Sequence, residues 1–409
     1  MSYLQEICFH ISCFFTNCSK YSFEIKIKIA FNIRLEKQNT NMRNYKIDVL
    51  RGISILLVLI HHFNIPYKLH DTFLGVHVFG ESLSTLIARN GNYGVTMFFV
   101  ISGFLITQHT LQRSRSLADI KLKDFYIRRI ARIIPCLVLL VAMVTILGAM
   151  GLKPFINQAP NDIEVSYSLT IFAAFTFWMN ILIIENGWVN YALGVLWSLS
   201  VEEVFYLAFP VLCVLLGRGK GFILFLFVII CYAPYFRSLH FSEESGAYLY
   251  HYFSSFDGIA IGCLTALIVQ NFKINSSAIK VIVPVVSVLM IGLYLYAPIK
   301  EVSTWGISAF ALFSAILIFC FSQNPQVHGQ SFITKIMVWI GQRSYEMYLF
   351  HLIILGLMKV FYFPKETLPI EKLILLPIYF IAVFILSWAI EKYYSTPLNR
   401  VVRKKFIRY

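Results

Sequence analysis

An arginine and a histidine, Arg51 and His62, lie eleven positions apart in the apolar stretch from Asp48 to Asn64. An α-helix turns about 100° and rises about 1.5 Å per residue, so both side chains fall on one helix face, roughly 16 Å apart along the axis. Ionisable groups inside a membrane-spanning helix are costly unless they face protein or water, so they often mark a functional site. Alternatively, the arginine reaches to the lipid headgroups and the histidine is a hydrogen-bonded core residue.

Three arginines, Arg128, Arg129 and Arg132, occur in the run FYIRRIARIIP, just before another apolar stretch. Arg128 and Arg132 share one helix face because they are four positions apart. A guanidinium group can bind a phosphate through two hydrogen bonds, so the cluster suits a multiply phosphorylated ligand. The alternative is a group of basic residues that fixes the membrane topology and binds anionic lipids.

A third pattern lies in LWSLSVEEVFYLAFP, where Ser198, Glu202 and Tyr206 follow one another at intervals of four. This spacing places all three side chains on one face of a helix. A carboxylate buried in a membrane must be paired, hydrogen-bonded or protonated. Glu202 could therefore hold a histidine or an arginine in place, bind a sugar hydroxyl, or serve as the structural partner of an arginine elsewhere in the protein.

Single polar residues also lie inside apolar stretches, among them Ser102, Asp257 and His351. A lone histidine is more often a core residue than a catalytic group, so His351 ranks below His62. The adjacent His61 points about 100° away around the helix and is harder to place on the same face.

The composition predicts an all-α polytopic integral membrane protein. Of the 409 residues, 58% are hydrophobic and 14% are charged, and apolar runs of spanning length recur from end to end. The net charge of +14 does not indicate nucleic-acid binding, because the basic residues gather in short loops and at the C-terminus. The eight cysteines lack metal-ligand spacing, so they are interpreted as packing residues and no metal site is expected.

Eleven apolar segments could cross a membrane: residues 48–66, 93–111, 133–151, 167–185, 194–216, 221–236, 253–270, 279–298, 304–322, 343–362 and 371–391. Basic residues before the first segment and after the last predict that both termini are cytoplasmic. Two termini on one side require an even number of crossings. We therefore expect about ten transmembrane helices and one re-entrant or interfacial segment within 167–200, which lines the site.

These segments divide the chain into three regions. Residues 1–41 are expected to form a poorly structured or interfacial N-terminal extension, and translation could instead start at Met42. Residues 42–395 form the transmembrane domain, and residues 396–409 are a basic cytoplasmic tail.

Six motifs occur in one order along the chain: DVLRGISILLVLIHH, TMFFVISGFLIT, FYIRRIARIIP, LWSLSVEEVFYLAFP, FDGIAIG and SYEMYLFHLIIL. In these motifs the chain resembles the membrane-bound acyltransferase-3 family over about residues 45–395. Members of that family move acyl groups, usually acetyl, from cytoplasmic acyl-CoA to sugar hydroxyls of bacterial surface glycans such as lipopolysaccharide O-antigen and peptidoglycan. The resemblance therefore implies an O-acetyltransferase of the bacterial cytoplasmic (inner) membrane.

The resemblance also implies roles for residues. We expect catalysis by His62, Arg51 and Glu202, binding of the donor acetyl-CoA by Arg128, Arg129 and Arg132, and substrate binding or support by Ser102, Ser198, Tyr206, His61 and His351. The expected partners are acyl-CoA, a glycan or lipid-linked saccharide acceptor and membrane lipids. The chain departs from the family pattern at Glu346, where a small or apolar residue is usual.

In the expected reaction, the acyl-CoA phosphates bind to Arg128, Arg129 and Arg132, which we call the arginine motif. The pantetheine arm then extends inward to His62. A neutral His62 imidazole takes the proton of the acceptor hydroxyl as this attacks the thioester, which is typically worth ~10²–10⁴ in rate. His62 could instead act as the nucleophile that carries the acyl group. Arg51 is too far from His62 to touch the same atoms and would stabilise negative charge on the CoA arm.

A transporter or flippase of a glycan or lipid precursor is the alternative from another functional class. It explains the intramembrane charges equally well. The chain shows no internal repeat, which counts modestly against a transporter built from inverted halves. Consumption of acetyl-CoA distinguishes an acyltransferase from a transporter or flippase.

Overall fold

The computed structural model describes residues 44–78, 80–241, 243–323 and 331–407. The expected extension, residues 1–41, and the alternative start at Met42 lie outside these residues. Within the described part, the chain is almost entirely helical.

The α-helices are, in chain order, α1 (Tyr45–Tyr67), α2 (Leu83–Ala88), α3 (Asn92–Arg113), α4 (Leu122–Ala149), α5 (Tyr167–Phe175), α6 (Met179–Asn186), α7 (Leu196–Leu216), α8 (Gly221–Leu239), α9 (Ala247–Tyr250), α10 (Tyr252–Asn271), α11 (Ser276–Tyr296), α12 (Ser303–Gln323), α13 (Phe332–Gln342), α14 (Ser344–Phe361), α15 (Pro369–Ile390) and α16 (Thr396–Phe406). A π-helical turn, Glu391–Ser395, joins α15 to α16. Two short antiparallel strands, β1 (His77–Val78) and β2 (Glu81–Ser82), pair in the loop between α1 and α2.

Ten helical stretches of the described chain are long and apolar enough to cross a membrane. They are Tyr45–Tyr67, Leu83–Arg113, Leu122–Ala149, Leu196–Leu216, Gly221–Leu239, Ala247–Asn271, Ser276–Tyr296, Ser303–Gln323, Ser344–Phe361 and Pro369–Phe406. The prediction of an all-α polytopic membrane protein with ten transmembrane helices is confirmed. That both termini lie in the cytoplasm stays a prediction.

The remaining apolar segment, residues 167–185, folds as two short helices. Helices α5 and α6 contain nine and eight residues, far fewer than the roughly 20 that a spanning helix needs. The break lies at Phe177, which has φ +60°, and the Tyr252 hydroxyl donates to the Phe177 carbonyl at 2.7 Å. A bulky residue is strained at positive φ, so a tertiary hydrogen bond helps to hold the break. As predicted, the region 167–200 contains a segment that does not span as one helix.

Helices α3 and α10 approach each other closely at two glycines. A Cβ atom at Gly103 would lie 1.9 Å from the carbonyl oxygen of Ile259. A Cβ atom at Gly262 would lie 2.1 Å from the carbonyl oxygen of Val100. Small residues allow such close approach between membrane helices, where packing replaces the hydrophobic effect as the driving force. The contact fixes α3, which carries Ser102.

A fully buried ion pair joins α8 and α10. The Arg237 guanidinium donates to Asp257 Oδ2 at 2.9 Å, and neither side chain is exposed. The same guanidinium donates to the carbonyl oxygens of Ser254 at 2.6 Å and Thr304 at 3.4 Å. Ser308, on α12, donates to Asp257 Oδ2 at 2.6 Å. The ion pair therefore connects three helices.

Candidate functional site

Helices α1 and α14 contact each other at two places, and each contact includes a predicted site residue. Near the start of each helix, Arg51 Nε donates to Ser344 Oγ at 3.2 Å. Further along both helices, the ring centroids of His62 and His351 are 4.8 Å apart. The structure thus gives Arg51 and His62 different partners, as their separation along α1 requires.

Three histidines, His61, His62 and His351, form a histidine cluster in which adjacent rings meet edge to face. In each ring Nδ1 lies within hydrogen-bond distance of a backbone carbonyl oxygen: His61 with Ala88 at 2.6 Å, His62 with Val58 at 2.9 Å and His351 with Tyr348 at 2.7 Å. A carbonyl oxygen only accepts hydrogen bonds, so Nδ1 carries the proton in each neutral ring and Nε2 holds the lone pair. Nε2 is therefore the basic atom of each ring.

His351 and His62 differ in exposure. His351 has no exposed surface, and its Nε2 has no hydrogen-bond partner among the residues that the structure describes. Leaving such a buried acceptor unpaired costs about 1–3 kcal/mol. His62 is half-buried, so of the two imidazoles it is the one that a ligand reaches more easily.

Ser102, Glu202 and Tyr206 come together between α3 and α7. The hydroxyl groups of Ser102 and Tyr206 both donate to Glu202 Oε1, and the two hydroxyl oxygens contact each other. We call this the Ser102–Glu202–Tyr206 network. Hydrogen bonds to a charged acceptor are stronger than neutral ones, so the network fixes the carboxylate firmly between two helices.

Ser198 and Tyr348 contact each other from the two helices that carry this network and His351. Their hydroxyl oxygens are 2.6 Å apart, and the Tyr348 hydroxyl also donates to the Val195 carbonyl at 3.1 Å. Ser198 precedes Glu202 by one helical turn on α7, and Tyr348 precedes His351 by about one turn on α14. Polar groups therefore follow one another from the Ser102–Glu202–Tyr206 network to His351.

The arginine motif lies beside the same network. The Arg129 guanidinium stacks 3.7 Å from the centre of the Tyr206 ring, and the Arg132 guanidinium lies 5.6 Å from the centre of the Tyr345 ring. Both arginines act electrostatically on the Glu203 carboxyl group. Arg128 is half-buried on the same helix, one turn before Arg132.

A cavity of about 290 Å³ lies between α4, α7 and the break after α5. Its wall is mostly apolar, with Tyr126, Arg129, Glu203 and Tyr206 as the residues that carry polar groups and Phe177 on the opposite segment. Glu203 is 6% exposed, and its Oε1 has no hydrogen-bond partner among the described residues. The non-spanning segment therefore lines a cavity at Phe177, next to the Ser102–Glu202–Tyr206 network.

The structure brings most of the predicted site residues into one path. The path contains, from the arginine motif inward, Arg129, Tyr206, Glu202, Ser102, Ser198, His351 and His62. Arg51 lies beside it with Ser344, and His61 lies at its far end, where a Cβ atom at Gly91 would be 2.2 Å from the His61 Cβ. The catalytic and binding roles of all these residues stay predictions.

Sequence reasoning missed Ser344 and Tyr348, although a signal was present. Ser344, Tyr348 and His351 follow one another at intervals of four and three, which is the spacing of one helix face. The sequence pattern also favoured Glu202 over Glu203 as a site residue. Adjacent carboxylates on a helix point in different directions, and only the packing shows that Glu203 faces a cavity.

No group of three or more His, Cys, Asp or Glu side chains in the described part of the chain could hold a metal ion. The histidine cluster uses all three Nδ1 atoms for backbone carbonyls. With Nδ1 engaged in this way, Nε2 of each ring can accept a proton or a hydrogen bond.

Comparison with known proteins identifies a family that this chain matches. A family model described as an acyltransferase domain matches residues 44–392. A Staphylococcus aureus (strain COL) protein named "Putative O-acetyltransferase" is 28% identical over 345 residues, covering 77% of this chain and 51% of the relative. The peptidoglycan O-acetyltransferase OatA of Listeria monocytogenes is 25% identical over 331 residues, covering 75% of this chain and 48% of the relative.

The O-acetyltransferase OatA of Staphylococcus aureus (strain NCTC 8325 / PS 47) is 25% identical over 394 residues, covering 91% of this chain and 60% of the relative. The chain thus spans about half to three-fifths of the length of these curated relatives. No solved structure matches the chain.

Proposed function

The chain belongs to the acyltransferase-3 family, and on that basis we propose that it is an O-acetyltransferase of the bacterial cytoplasmic membrane. It transfers acetyl from cytoplasmic acetyl-CoA to a hydroxyl group of a surface polysaccharide or a lipid-linked saccharide. Lipopolysaccharide O-antigen is one candidate acceptor. Peptidoglycan is another, because one relative is named for it.

The observation that carries this proposal is the path of polar groups between the arginine motif and the histidine cluster. Arg129 at one end is half-buried and stacks on Tyr206. His62 at the other end is half-buried and has Nε2 as its basic atom. A donor whose phosphates lie on arginines and whose thioester lies far from them fits this separation.

In the proposed reaction, His62 Nε2 removes the proton of the acceptor hydroxyl. The alkoxide oxygen forms a bond to the thioester carbon, the carbon–sulfur bond breaks, and the CoA thiolate receives the proton from the imidazolium. The hydrogen bond from Nδ1 to the Val58 carbonyl holds the ring in the required tautomer. The alternative, in which Nε2 attacks the thioester and carries the acetyl group, uses the same tautomer.

The other residues bind or position in this proposal. Arg128, Arg129 and Arg132 bind donor phosphates, as guanidinium groups do. Arg51 stabilises negative charge on the CoA arm. The Ser102–Glu202–Tyr206 network holds Arg129 through the Tyr206 ring.

Two further groups support the histidine at the reacting end. The His351 ring packs edge to face against His62 and limits its rotation. Ser198 fixes the Tyr348 hydroxyl, one turn away from His351 on α14.

The test is acetyl-CoA consumption by the purified full chain in detergent, with release of the CoA thiol and formation of O-acetyl proton signals on an added glycan as readouts. The His62→Gln variant should lose at least about 100-fold in rate, because general-base help is worth ~10²–10⁴. The control is His70→Gln, which changes an exposed histidine just beyond α1.

Near-normal turnover by His62→Gln would remove the imidazole from the chemistry. A wild-type protein that moves a lipid-linked saccharide across vesicles without consuming acetyl-CoA would support the transporter or flippase instead.

A further inference from the structure

The C-terminal basic segment is a helix packed against the bundle. Helix α16 follows α15 through the π-helical turn Glu391–Ser395 and packs along α4, the helix of the arginine motif. The Tyr394 hydroxyl donates to the Pro135 carbonyl at 3.2 Å, and the Glu391 carboxylate pairs with Arg343 at 3.4 Å. The basic residues of α16 therefore have fixed positions relative to α4.

The π-helical turn has a second anchor on α14. Ser395 Oγ donates to Glu346 Oε1 at 2.8 Å, and Glu346 is 6% exposed. A π-helical turn inserts an extra residue, rotates the helix that follows it and is frequent at functional sites. Glu346, the residue that departs from the family pattern, thus helps to set the direction of α16.

The basic residues of α16 do not all face the same way. Arg403 is half-buried, and its Nε atom is enclosed by protein. Lys404 and Lys405, the next two residues, are exposed. Topology alone requires positive charge on the segment but does not require that one guanidinium turn inward.

Arg403 is one of four arginines that lie near His109. The side chain of His109, near the end of α3, is acted on electrostatically by Arg113, Arg129, Arg132 and Arg403. These arginines, which we call the four-arginine group, come from α3, α4 and α16. Arg113, Arg132 and His109 are exposed, so the group is open to a ligand.

Like charges that lie near one another repel. A ligand with several phosphates would offset this repulsion. Guanidinium groups bind phosphate through paired hydrogen bonds, and such bonds are about twice as strong as neutral ones.

We propose that α16 completes the phosphate site for the acyl donor, with Arg403 and Arg113 binding phosphate groups together with Arg129 and Arg132. The inference rests on the proposed function, because it takes CoA as the ligand. CoA carries a diphosphate and a separate 3′-phosphate, which offer more anionic oxygens than the arginine motif of α4 binds alone. An anionic lipid headgroup presents the same chemistry and is the other source of phosphate.

The experiment compares a donor that carries the phosphorylated nucleotide with one that lacks it. Acetyl-CoA carries the phosphates, and S-acetylpantetheine keeps the thioester and the arm without the nucleotide. In the full-length protein, Arg403→Gln should raise the KM for acetyl-CoA about tenfold or more, through loss of charge-assisted hydrogen bonds. Its kcat/KM for S-acetylpantetheine should stay at the wild-type value.

The matched control is Lys404→Gln, which removes the same charge from an exposed position of the same helix. It should leave the KM for both donors unchanged. Arg403→Lys keeps the charge and most of the packing and should give an intermediate KM. If Arg403→Gln reduces the yield of folded protein, the KM of Arg403→Lys is used for the comparison instead.

A direct binding measurement separates this inference from the proposed function. Wild-type protein should bind free CoA, and Arg403→Gln should weaken that binding about tenfold relative to Lys404→Gln. Equal CoA affinity of the two variants would overturn the role of Arg403 and leave the proposed function intact. If wild-type protein neither binds CoA nor consumes acetyl-CoA, both are wrong.

A lipid headgroup as the phosphate ligand of Arg403 would give a different result. If Arg403 binds a lipid headgroup, Arg403→Gln should change the activity with acetyl-CoA and S-acetylpantetheine equally. The change should then appear in vesicles that contain phosphatidylglycerol and vanish in vesicles of phosphatidylcholine alone. That pattern would contradict the donor site.

Discussion

The Arg237–Asp257 ion pair and the histidine cluster are both polar groups inside the bundle, and they differ in how far their hydrogen bonds are completed. Each nitrogen of the Arg237 guanidinium has an acceptor, and both Asp257 oxygens have donors, including the Gly258 amide at 2.9 Å. The buried Nε2 of His351 has no partner among the described residues. In the first region the protein supplies a partner for each guanidinium nitrogen and each carboxylate oxygen, and in the second it leaves an acceptor open.

Whether its hydrogen bonds are complete therefore distinguishes a structural polar group from a functional one better than its charge does. A completed buried network holds helices in one arrangement, and its removal is a loss of stability. An unpaired buried acceptor costs free energy in the folded protein. It is therefore explained more readily by a ligand that supplies the missing donor than by stability.

The largest effect is expected at the ion pair. Arg237→Met should lower the free energy of unfolding by about 3–5 kcal/mol, because it leaves a buried carboxylate without its counter-charge. Thermal unfolding in detergent, followed by loss of the monodisperse species, measures this. Activity per folded molecule should remain near the wild-type value.

The double variant Arg237→Met/Asp257→Leu is the companion test, since replacing both partners by apolar groups is less harmful than removing one. It should be more stable than Arg237→Met. A stable but inactive Arg237→Met variant would contradict this comparison and show that the ion pair takes part in the reaction.

An intermediate effect is expected from Tyr206→Phe. The change removes one hydrogen bond to the Glu202 carboxylate, of a kind worth about 1.5–3 kcal/mol, and keeps the ring that Arg129 stacks on. In acetyl transfer this corresponds to a loss of roughly 10- to 150-fold in kcat/KM, measured as CoA release.

Tyr252→Phe is the control for that loss. Its hydroxyl donates to the neutral Phe177 carbonyl, so its removal should lower stability by about 0.5–1.5 kcal/mol with little change in rate per folded molecule. If both variants lose activity equally, the Ser102–Glu202–Tyr206 network has no special part in the reaction.

The smallest effect is expected at a partly exposed ion pair. Lys372 Nζ lies 2.5 Å from Asp71 Oδ2, and the Asp71 side chain is 36% exposed. Solvent screens such a pair, so Lys372→Met should cost no more than about 1 kcal/mol. A loss as large as that of Arg237→Met would show that completeness of burial does not set the strength of the ion pairs in this protein.

The family relation confirms the resemblance that the sequence motifs indicated, and the structure confirms the helices that carry them. Ser198, Glu202 and Tyr206 were placed on one helix face by their spacing, and in the structure Glu202 and Tyr206 are joined by a hydrogen bond. His351 was ranked below His62 because a lone histidine is more often a core residue than a catalytic group. The contact between the two rings could not be predicted from local spacing, because they lie on different helices.

The sequence by itself determined the ten long apolar helices, the non-spanning segment and the faces that carry Arg51 with His62 and Glu202 with Tyr206. These features depend on hydrophobic length and on the helical period, and both are local properties of the chain. Only the tertiary structure decided that His62 meets His351, that Arg237 meets Asp257 and that Arg403 joins the arginines of α3 and α4. Such pairings depend on which helix faces pack together, and helix packing is decided by the shapes and polar contacts of side chains that are distant in sequence.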